Sequence, residues 1–374
     1  MSTPPPPSDF TPAAKKAWEE SSDFANYFCT YGFIYHQKQM LSDTLRMQRY
    51  RDAIFENASC FQDKVVLDVG TGSGILAIWA AQAGARRVYA VEATDMAKQA
   101  RRVVAANKQD HIVTVIQSKI EDVNLPEHVD IIISEWMGYF LMRESMFDSV
   151  LLARDRWLKP GGALYPSHAT MYVAPLGLEQ TALKRFNEFS NAMDDWTLFV
   201  SETKDQWGVD MSCLGNAFRE EQEQFSLKTS QFVELSAEDV IGDEASIKYL
   251  DLNKCTLEDV ASVQSDFSIT FTSTTRFGAL GGWFDVDFHG SAETPAVSKV
   301  TLSTSPYVQT THWGQQAFPL SPIQVCEGDI VKGKIDVVRR SDNQRLMNVK
   351  FEYEMEYQGQ TRQQPKHSAI FQVE

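Results

Sequence analysis

The 374-residue sequence contains few cysteines, and they form no recognisable pattern. The five are Cys29, Cys60, Cys213, Cys255 and Cys326. Their number is odd, and none lies in a CxxC pair or in a Cys/His cluster with the spacing of zinc ligands. This scatter argues against a disulfide framework and against a metal site, and it favours a reducing compartment.

The sequence also lacks a long apolar run. The longest, at about residues 74–85, is too short to cross a bilayer, which takes about 20 residues. The N-terminus, MSTPPPPSDFTPAAKK, has no apolar signal-peptide core, and its proline run indicates a disordered or polyproline II segment over 1–22. We therefore expect a soluble protein without membrane contact.

Positive charge is in deficit. The chain has 35 Lys and Arg against 50 Asp and Glu, a net charge of −15. An acidic surface repels nucleic acid, so we expect no direct nucleic-acid binding. The same charge serves solubility or attracts a basic partner, and charge alone does not decide between the two.

The first half of the chain alternates strand-like and helix-like segments. A helical pattern covers 23–54, and helices are expected at 95–107 and 145–157. Short apolar runs with the composition of buried strands lie at 64–69, 88–92, 112–117 and 129–134. Such alternation predicts an α/β domain over 23–167, built on a doubly wound parallel sheet.

Beyond Ser167 the periodicity changes. Runs in which apolar and polar residues alternate lie at 268–274, 283–288, 298–304, 333–340 and 349–357. They predict an antiparallel sandwich or barrel over 168–374. A helical insertion at 179–209 carries six large apolar residues, Phe186, Phe189, Met193, Trp196, Phe199 and Trp207. It packs either on its own domain or on a second subunit.

The segment LDVGTGSGILA places Gly70, Gly72 and Gly74 between a strand and a helix, where backbone N–H groups approach a ligand. Glu92 ends the next strand and suits the hydroxyls of a ribose. The spacing also fits the dinucleotide fingerprint of NAD enzymes, and a glycine turn without a ligand is a further alternative. The negative charge of Asp68 disfavours a pyrophosphate and suits a cationic amino-acid tail such as that of S-adenosylmethionine. Arg46 or Arg49 could hold the carboxylate of that tail.

The segment SEWMGYFLMRES holds two carboxylates, Glu135 and Glu144, in an apolar setting. Glu135 follows a strand and so lies at the ligand-binding edge of the sheet. If 136–143 form a bent loop, the two acids approach each other and repel, and a planar guanidinium would relieve the conflict. In the alternative interpretation, Glu144 is only a cap or first-turn acid of the next helix.

Four segments in order resemble the protein arginine N-methyltransferases. They are YFCTYGFIYHQKQMLSDTLRMQRY (27–50), VLDVGTGSGIL, SEWMGYFLMRESM and THWGQ (311–315). The ends of the chain are similar to those of plant members of that family. The resemblance implies an α/β fold: a Rossmann-like S-adenosylmethionine-dependent methyltransferase domain, then an antiparallel β-barrel domain with an inserted helical dimerisation arm.

The resemblance also implies catalytic roles. Glu135 and Glu144 would clamp the substrate guanidinium, and Met40 and Met146 would shape a pocket for asymmetric dimethylation (type I). His312 would pair with Asp43, and either His312 or Glu144 would accept the proton.

The implied cofactor is S-adenosylmethionine, released as S-adenosylhomocysteine, without a metal. Its implied contacts are Phe28, His36, Arg46, Asp68, Gly70, Gly72, Gly74, Glu92, Ile120 and Glu121. The implied partners are a second copy of the chain and basic, Gly-Arg-rich segments of histones and RNA-binding proteins, in the cytoplasm and nucleus. An NAD-dependent oxidoreductase and a non-catalytic scaffold are the alternatives.

Three features depart from the family pattern. The spacing from Tyr31 to His36 is one residue short, which leaves the role of Tyr31 open. Arg143 stands where many members have tyrosine, and it either pairs with Glu144 or faces outward. The arm is several residues longer than usual, which would widen the hole of a ring-shaped dimer.

Overall fold

The computed structural model describes residues 29–359 and 365–373. The helices are α1 (Ile34–Leu41), α2 (Thr44–Phe55), α3 (Ala58–Phe61), α4 (Ile75–Gln82), α5 (Met96–Ala106), α6 (Phe147–Trp157), α7 (Glu179–Trp207), α8 (Gly215–Leu227) and α9 (Leu257–Ala261). The first eight strands are β1 (Val65–Val69), β2 (Arg87–Glu92), β3 (Val113–Gln117), β4 (Val129–Ile133), β5 (Leu158–Tyr165), β6 (His168–Leu176), β7 (Gln231–Val233) and β8 (Ala245–Asp251). The others are β9 (Ser262–Thr270), β10 (Thr275–Gly290), β11 (Pro295–Ser303), β12 (Gln315–Val325), β13 (Ile330–Arg339), β14 (Met347–Glu356) and β15 (His367–Val373).

The first half forms a parallel sheet with the strand order β3-β2-β1-β4-β5. All five residues of β1 are buried, because helices cover both faces of a sheet of this kind. The chain runs outward from β1 to β3 and resumes on the other side with β4. This reversal puts a ligand-binding crevice at the carboxyl ends of β1 and β4.

The second half forms two antiparallel sheets around a common core. One sheet has the path β7-β12-β10-β6-β8, with β11 also paired to β10, and the other has the order β15-β14-β13-β9. Phe318 of the first sheet meets Phe351 and Phe371 of the second, with ring centroids 5.1 and 5.5 Å apart. The predicted fold class, a Rossmann-like domain followed by an antiparallel β domain with a helical insertion, is confirmed.

The insertion is a helical hairpin that projects from the β domain. Helix α7 has 29 residues, which makes it roughly 43 Å long. Gly208 ends it in a left-handed conformation, and α8 then folds back along it, with the ring of Trp196 stacked 4.4 Å from that of Phe218. Leu198, Phe199 and Trp207 are exposed, so the hairpin leaves part of its apolar surface uncovered by its own domain.

The N-terminal helices join the two halves. The predicted helical pattern of 23–54 breaks at Asp43, whose side chain caps α2 by accepting a hydrogen bond from the backbone N–H of Arg46. Tyr50 packs on the parallel sheet and donates to the carbonyl of Ser134 at 2.9 Å. Among the described residues, no helix is long and apolar enough to cross a membrane.

Asn57 fixes these helices to β11. It is fully buried, donates to the carbonyls of Ala53 and Ser298, and accepts from the N–H of Ser298 at 2.8 Å. Asn57→Ala should lower the free energy of unfolding by about 2–3 kcal/mol, because it leaves buried backbone groups without their hydrogen-bond partner. The exposed Asn107 bonds the carbonyl four residues back in the same way, so Asn107→Ala is the matched control. Urea unfolding that gave equal losses for both variants would contradict this assignment.

Candidate active site

An open cleft lies at the carboxyl ends of β1 and β4, and its empty space, open solvent included, is about 1100 Å³. The predicted site residues that line it are Met40, Arg46, Gly70, Gly72, Glu92, Ile120, Glu121, Glu135 and Met146. The predicted residues His36, Asp43, Asp68, Gly74, Glu144 and His312 do not line it, and Phe28 lies outside the described residues. One cleft therefore brings together most of the residues implied for the cofactor and the glutamate Glu135.

The glycine-rich loop forms one wall of the cleft. Gly70 has a φ of 72°, and a Cβ there would lie 2.2 Å from the Cε atom of Met146. The carboxylate of Glu92 accepts from the N–H of Gly72 at 2.9 Å and from the N–H of Thr94 at 2.8 Å. Glu92 therefore holds the loop in shape while it faces the cleft.

Asp68 lies behind this wall. It is fully buried, and the hydroxyl of Thr71, which does line the cleft, donates to its carboxylate at 2.5 Å. Burial raises the pKa of Asp68 to about 7. The structure thus places Thr71 at the cleft surface where the sequence interpretation placed Asp68, because β1 is covered on both sides up to its end.

The segment 134–145 is a bent loop, as predicted. The N–H of Gly138 bonds the carbonyl of Leu141 at 3.1 Å, and Glu144 has a φ of 84°. The next helix is preceded by Met146 and carries Asp148 in its first turn. The alternative in which Glu144 is only a cap or first-turn acid is therefore wrong.

Each of the two glutamates meets an arginine of its own chain. Arg46 donates to Oε2 of Glu135 at 2.7 Å, whereas Oε1 of Glu135 is buried without a hydrogen-bond partner among the described residues. Tyr31 donates to Oε2 of Glu144 at 2.6 Å, and Arg143 donates to Oε1 at 3.2 Å. Arg143 thus faces Glu144 rather than outward, and Tyr31 contacts the site despite the short spacing.

Burial sets the electrostatics of Glu144. Removal from water raises the pKa of its carboxyl above the ordinary value, although the Tyr31 hydroxyl and the Arg143 guanidinium act in the opposite direction. The charge of Glu135 adds to the rise. A carboxyl in this position becomes ionised nearer to neutral pH, which suits a group that accepts protons.

The THW segment connects the β domain to this site. The backbone N–H and Nδ1 of His312 both contact Oδ2 of Asp43, at 2.8 and 2.7 Å. Nε1 of Trp313 donates to the carbonyl of Met137, within the bent loop, at 2.8 Å. The structure therefore brings His312 and Asp43 into the contact that the resemblance implies.

Sequence reasoning missed the hairpin between β13 and β14. Arg345 lines the cleft, its guanidinium donates to the carbonyl of Glu144 at 2.6 Å, and its own carbonyl accepts from the N–H of Glu144 at 2.8 Å. Ser145 donates to the carbonyl of Gln344 at 2.6 Å. No local signal marks these residues, because they lie about 200 positions from the loop that they hold.

Two family models match the chain. Residues 167–359 match the arginine methyltransferase oligomerization subdomain, and residues 53–163 match ribosomal protein L11 methyltransferase. Protein arginine N-methyltransferase PRMT10 from Oryza sativa subsp. japonica is 53% identical over 340 residues, which cover 90% of this chain and 89% of that protein. The chain belongs to the protein arginine N-methyltransferase family.

Solved structures of arginine methyltransferases agree with this. Arabidopsis thaliana protein arginine methyltransferase 10, described as a uniquely open conformation, has a TM-score of 0.90 and 48% identity, over 93% of this chain and all of that chain. The Trypanosoma brucei PRMT1 enzyme-prozyme heterotetrameric complex with AdoHcy has a TM-score of 0.78 and 31% identity, over 92% of this chain and all of that chain. The recognition of the family from four short segments is confirmed.

The contact between Asp43 and His312 should contribute to the free energy of unfolding of this arginine methyltransferase. Burial alone would raise the pKa of Asp43, but hydrogen bonds from His312 and Arg46 outweigh it, and the pKa falls below the ordinary value. A carboxyl with a lowered pKa stabilises the folded state above about pH 4, and this contribution is lost as the pH falls through the folded-state pKa.

Asp43→Asn should therefore destabilise the protein by about 1–2 kcal/mol at pH 7, with a smaller difference at pH 3, as measured by urea unfolding. Asp95→Asn is the control, because Asp95 precedes α5 at an exposed position with Lys98 as its partner, and its midpoint should hardly move. A loss for Asp43→Asn that is independent of pH would contradict a charged contact.

Proposed function

We propose that this chain transfers methyl groups from S-adenosylmethionine to the guanidino nitrogens of arginine in basic, Gly-Arg-rich protein segments. The proposed products are monomethylarginine and then asymmetric dimethylarginine (type I). One observation carries this proposal: Glu135 lines the cleft with its Oε1 atom buried and without a partner among the described residues, and its charge acts on the largely buried Glu144.

A guanidinium matches this pair of carboxylates. It is planar, keeps its charge, and presents its donors as a rigid fork. One arm of the fork would satisfy Oε1 of Glu135, and the other would reach Oε1 of Glu144, which accepts from Arg143 at 3.2 Å. Such a clamp orients the guanidinium and draws its charge towards the glutamates, which leaves one terminal nitrogen free to react.

The cleft wall fits an adenosine with an amino-acid tail. Glu92 offers acceptors for ribose hydroxyls, Ile120 and Glu121 lie at the cleft for the adenine, and Arg46 offers a cation for the tail carboxylate. S-adenosylmethionine supplies a methyl group on a sulfonium, which needs no further activation. The carboxylate of Glu121 is kept in place by the hydroxyl of Ser149, at 2.7 Å.

The chain itself has to remove one proton from the guanidinium. Two groups are proposed for this, His312 with Asp43 and the carboxyl of Glu144. The burial that raises the pKa of Glu144 favours Glu144, since a base works best when its pKa is close to the working pH.

Met40 and Met146 support the type I assignment. Both line the cleft, as do the residues proposed for the cofactor. The family resemblance associates methionines at these positions with asymmetric products. The net charge of −15 supports basic substrates such as histones and RNA-binding proteins, which it would attract electrostatically, and we propose the cytoplasm and nucleus as the location.

A homodimer through the arm completes the proposal. The match to an oligomerization subdomain supports self-association, and the arm exposes Phe199 at 46% and Trp207 at 74%. Large apolar side chains exposed along one helix are typical of an interface between copies.

Replacing Glu144 by glutamine tests the reaction. Glu144→Gln should lower kcat at least 100-fold, because the amide cannot draw charge from the guanidinium. The assay follows labelled methyl transfer to a Gly-Arg-rich peptide and resolves the methylarginines. Glu127→Gln, a partly exposed surface glutamate paired with Arg86, should keep full activity. Unchanged transfer by Glu144→Gln would refute the mechanism, and symmetric dimethylarginine from the unaltered protein would refute the type.

A variant of the arm tests the dimer. Phe199→Ser combined with Trp207→Ser should convert the dimer to monomers in sedimentation velocity at micromolar concentration, because the arm loses two exposed aromatic side chains. Ile370→Ser removes an apolar side chain of similar exposure, 52%, from β15 and should leave the dimer intact. A dimer that persists in the arm variant would place the interface elsewhere.

A further inference from the structure

Both glutamates of the clamp are met by arginines of the chain itself, but the two pairs differ in strength. Arg46 reaches Glu135 at 2.7 Å, within the 2.7–2.9 Å that is usual for a charge-assisted hydrogen bond. Arg143 reaches Glu144 at 3.2 Å, which is longer than that range. The Arg143 guanidinium is therefore the weaker partner, and it occupies Oε1 of Glu144, where a substrate guanidinium would have to bind.

Arg143 already has a second partner besides Glu144, the ring of Tyr139. Its guanidinium lies 5.4 Å from the ring centre of Tyr139, within the range of a cation–π contact. Its Nε atom is buried without a hydrogen-bond partner in the described part of the chain. A rotation of the side chain about its own bonds would move the guanidinium off Glu144 and leave the backbone in place.

The other contacts of Glu144 do not need to move. Tyr31 holds Oε2 at 2.6 Å, and Arg345 holds the backbone through two hydrogen bonds. The contact of Arg143 with Oε1 of Glu144 is the long one of these contacts. A substrate guanidinium can therefore replace that of Arg143 there without disturbing the rest of the loop.

We propose that Arg143 is a resident counter-ion that occupies the substrate's place on Glu144, and that a substrate arginine displaces it from Glu144 while its contact with Tyr139 remains. This inference rests on the proposed function, and it makes Arg143 a specificity-determining residue. A substrate has to outcompete Arg143, so only a guanidinium that also reaches Glu135 displaces it. The positive charge of Arg143 also favours the ionised form of Glu144 while the site is empty.

The pH dependence follows from the groups that face Glu144. They are Tyr31 from the N-terminal segment, Glu135 after β4, Arg143 in the loop and Arg345 in the β13–β14 hairpin. Burial raises the pKa of Glu144, and Arg143 opposes that rise. Without Arg143, Glu144 of the free enzyme becomes ionised only at higher pH. Since the ionised form binds the guanidinium, the low-pH limb of the kcat/KM profile moves to higher pH.

Steady-state kinetics of the full-length protein across pH 6–9 test this with Arg143→Gln, Arg143→Lys and the control Arg86→Gln. Arg86 is about half exposed and pairs with Glu127, so its variant makes the same charge change away from the cleft. At pH 9, Arg143→Gln should lower the peptide KM about 3–10-fold with kcat nearly unchanged, since one competing contact is about 1 kcal/mol. The low-pH limb of its kcat/KM profile should move to higher pH. Arg143→Lys keeps the positive charge, so its low-pH limb should stay in place.

Three outcomes would overturn the inference. The first is that Arg143→Gln raises KM and lowers kcat at every pH, which indicates a structural role. The second is a pH profile of Arg143→Gln identical to that of the unaltered protein. The third is that Arg86→Gln shifts KM and the pH profile as much as Arg143→Gln does. If the unaltered protein transfers no methyl group, the proposed function fails instead. Calorimetric binding of the same peptide in the presence of S-adenosylhomocysteine then still decides whether Arg143→Gln binds more tightly.

Discussion

The structure depends on the desolvation of two carboxylates that lie close together. Glu135 and Glu144 are both largely removed from water, and ionised groups in that position are costly unless cations or hydrogen-bond donors face them. The chain supplies these donors from separate regions: Arg46 from α2, Arg143 from the loop and Tyr31 from the N-terminal segment. Oε1 of Glu135 has no partner among the described residues, and it is the acceptor that we propose for the substrate.

This constraint explains why the two domains are needed together. The bent loop belongs to the parallel-sheet domain, yet Trp313 and Arg345 of the β domain bond its backbone, and Arg339 forms a two-pronged ion pair with Asp148 in the following helix. The positive φ of Glu144 is strained for a residue with a side chain and persists only where surrounding contacts enforce it. The β domain thus supports the loop that carries Glu144, although that loop belongs to the other domain.

What the sequence predicted and what it missed follow from the range of the interactions. Buried parallel strands such as β1 and β4 leave a local apolar signature, and so do the glycine loop and the acid at a strand end. The hydrogen bonds of Arg345 and of Tyr31 to Glu144 join residues more than 100 positions apart in the sequence, so no local period encodes them. Helix α8 was not predicted, and neither was β5, because its glycines weaken the strand signal.

The same geometry favours an arginine over a lysine as the side chain that binds there. An ammonium is a compact point charge that would satisfy one carboxylate well, whereas a guanidinium spreads its donors in a plane and can serve both at once. Arg143 shows that Glu144 accepts a guanidinium, since one already lies there, and the 3.2 Å contact shows that the acceptance is incomplete. Arg143 does not reach Oε1 of Glu135, which lacks a partner among the described residues. A guanidinium entering from the cleft gains the contact that Arg143 has and the one that it lacks, and that difference is the driving force for exchange.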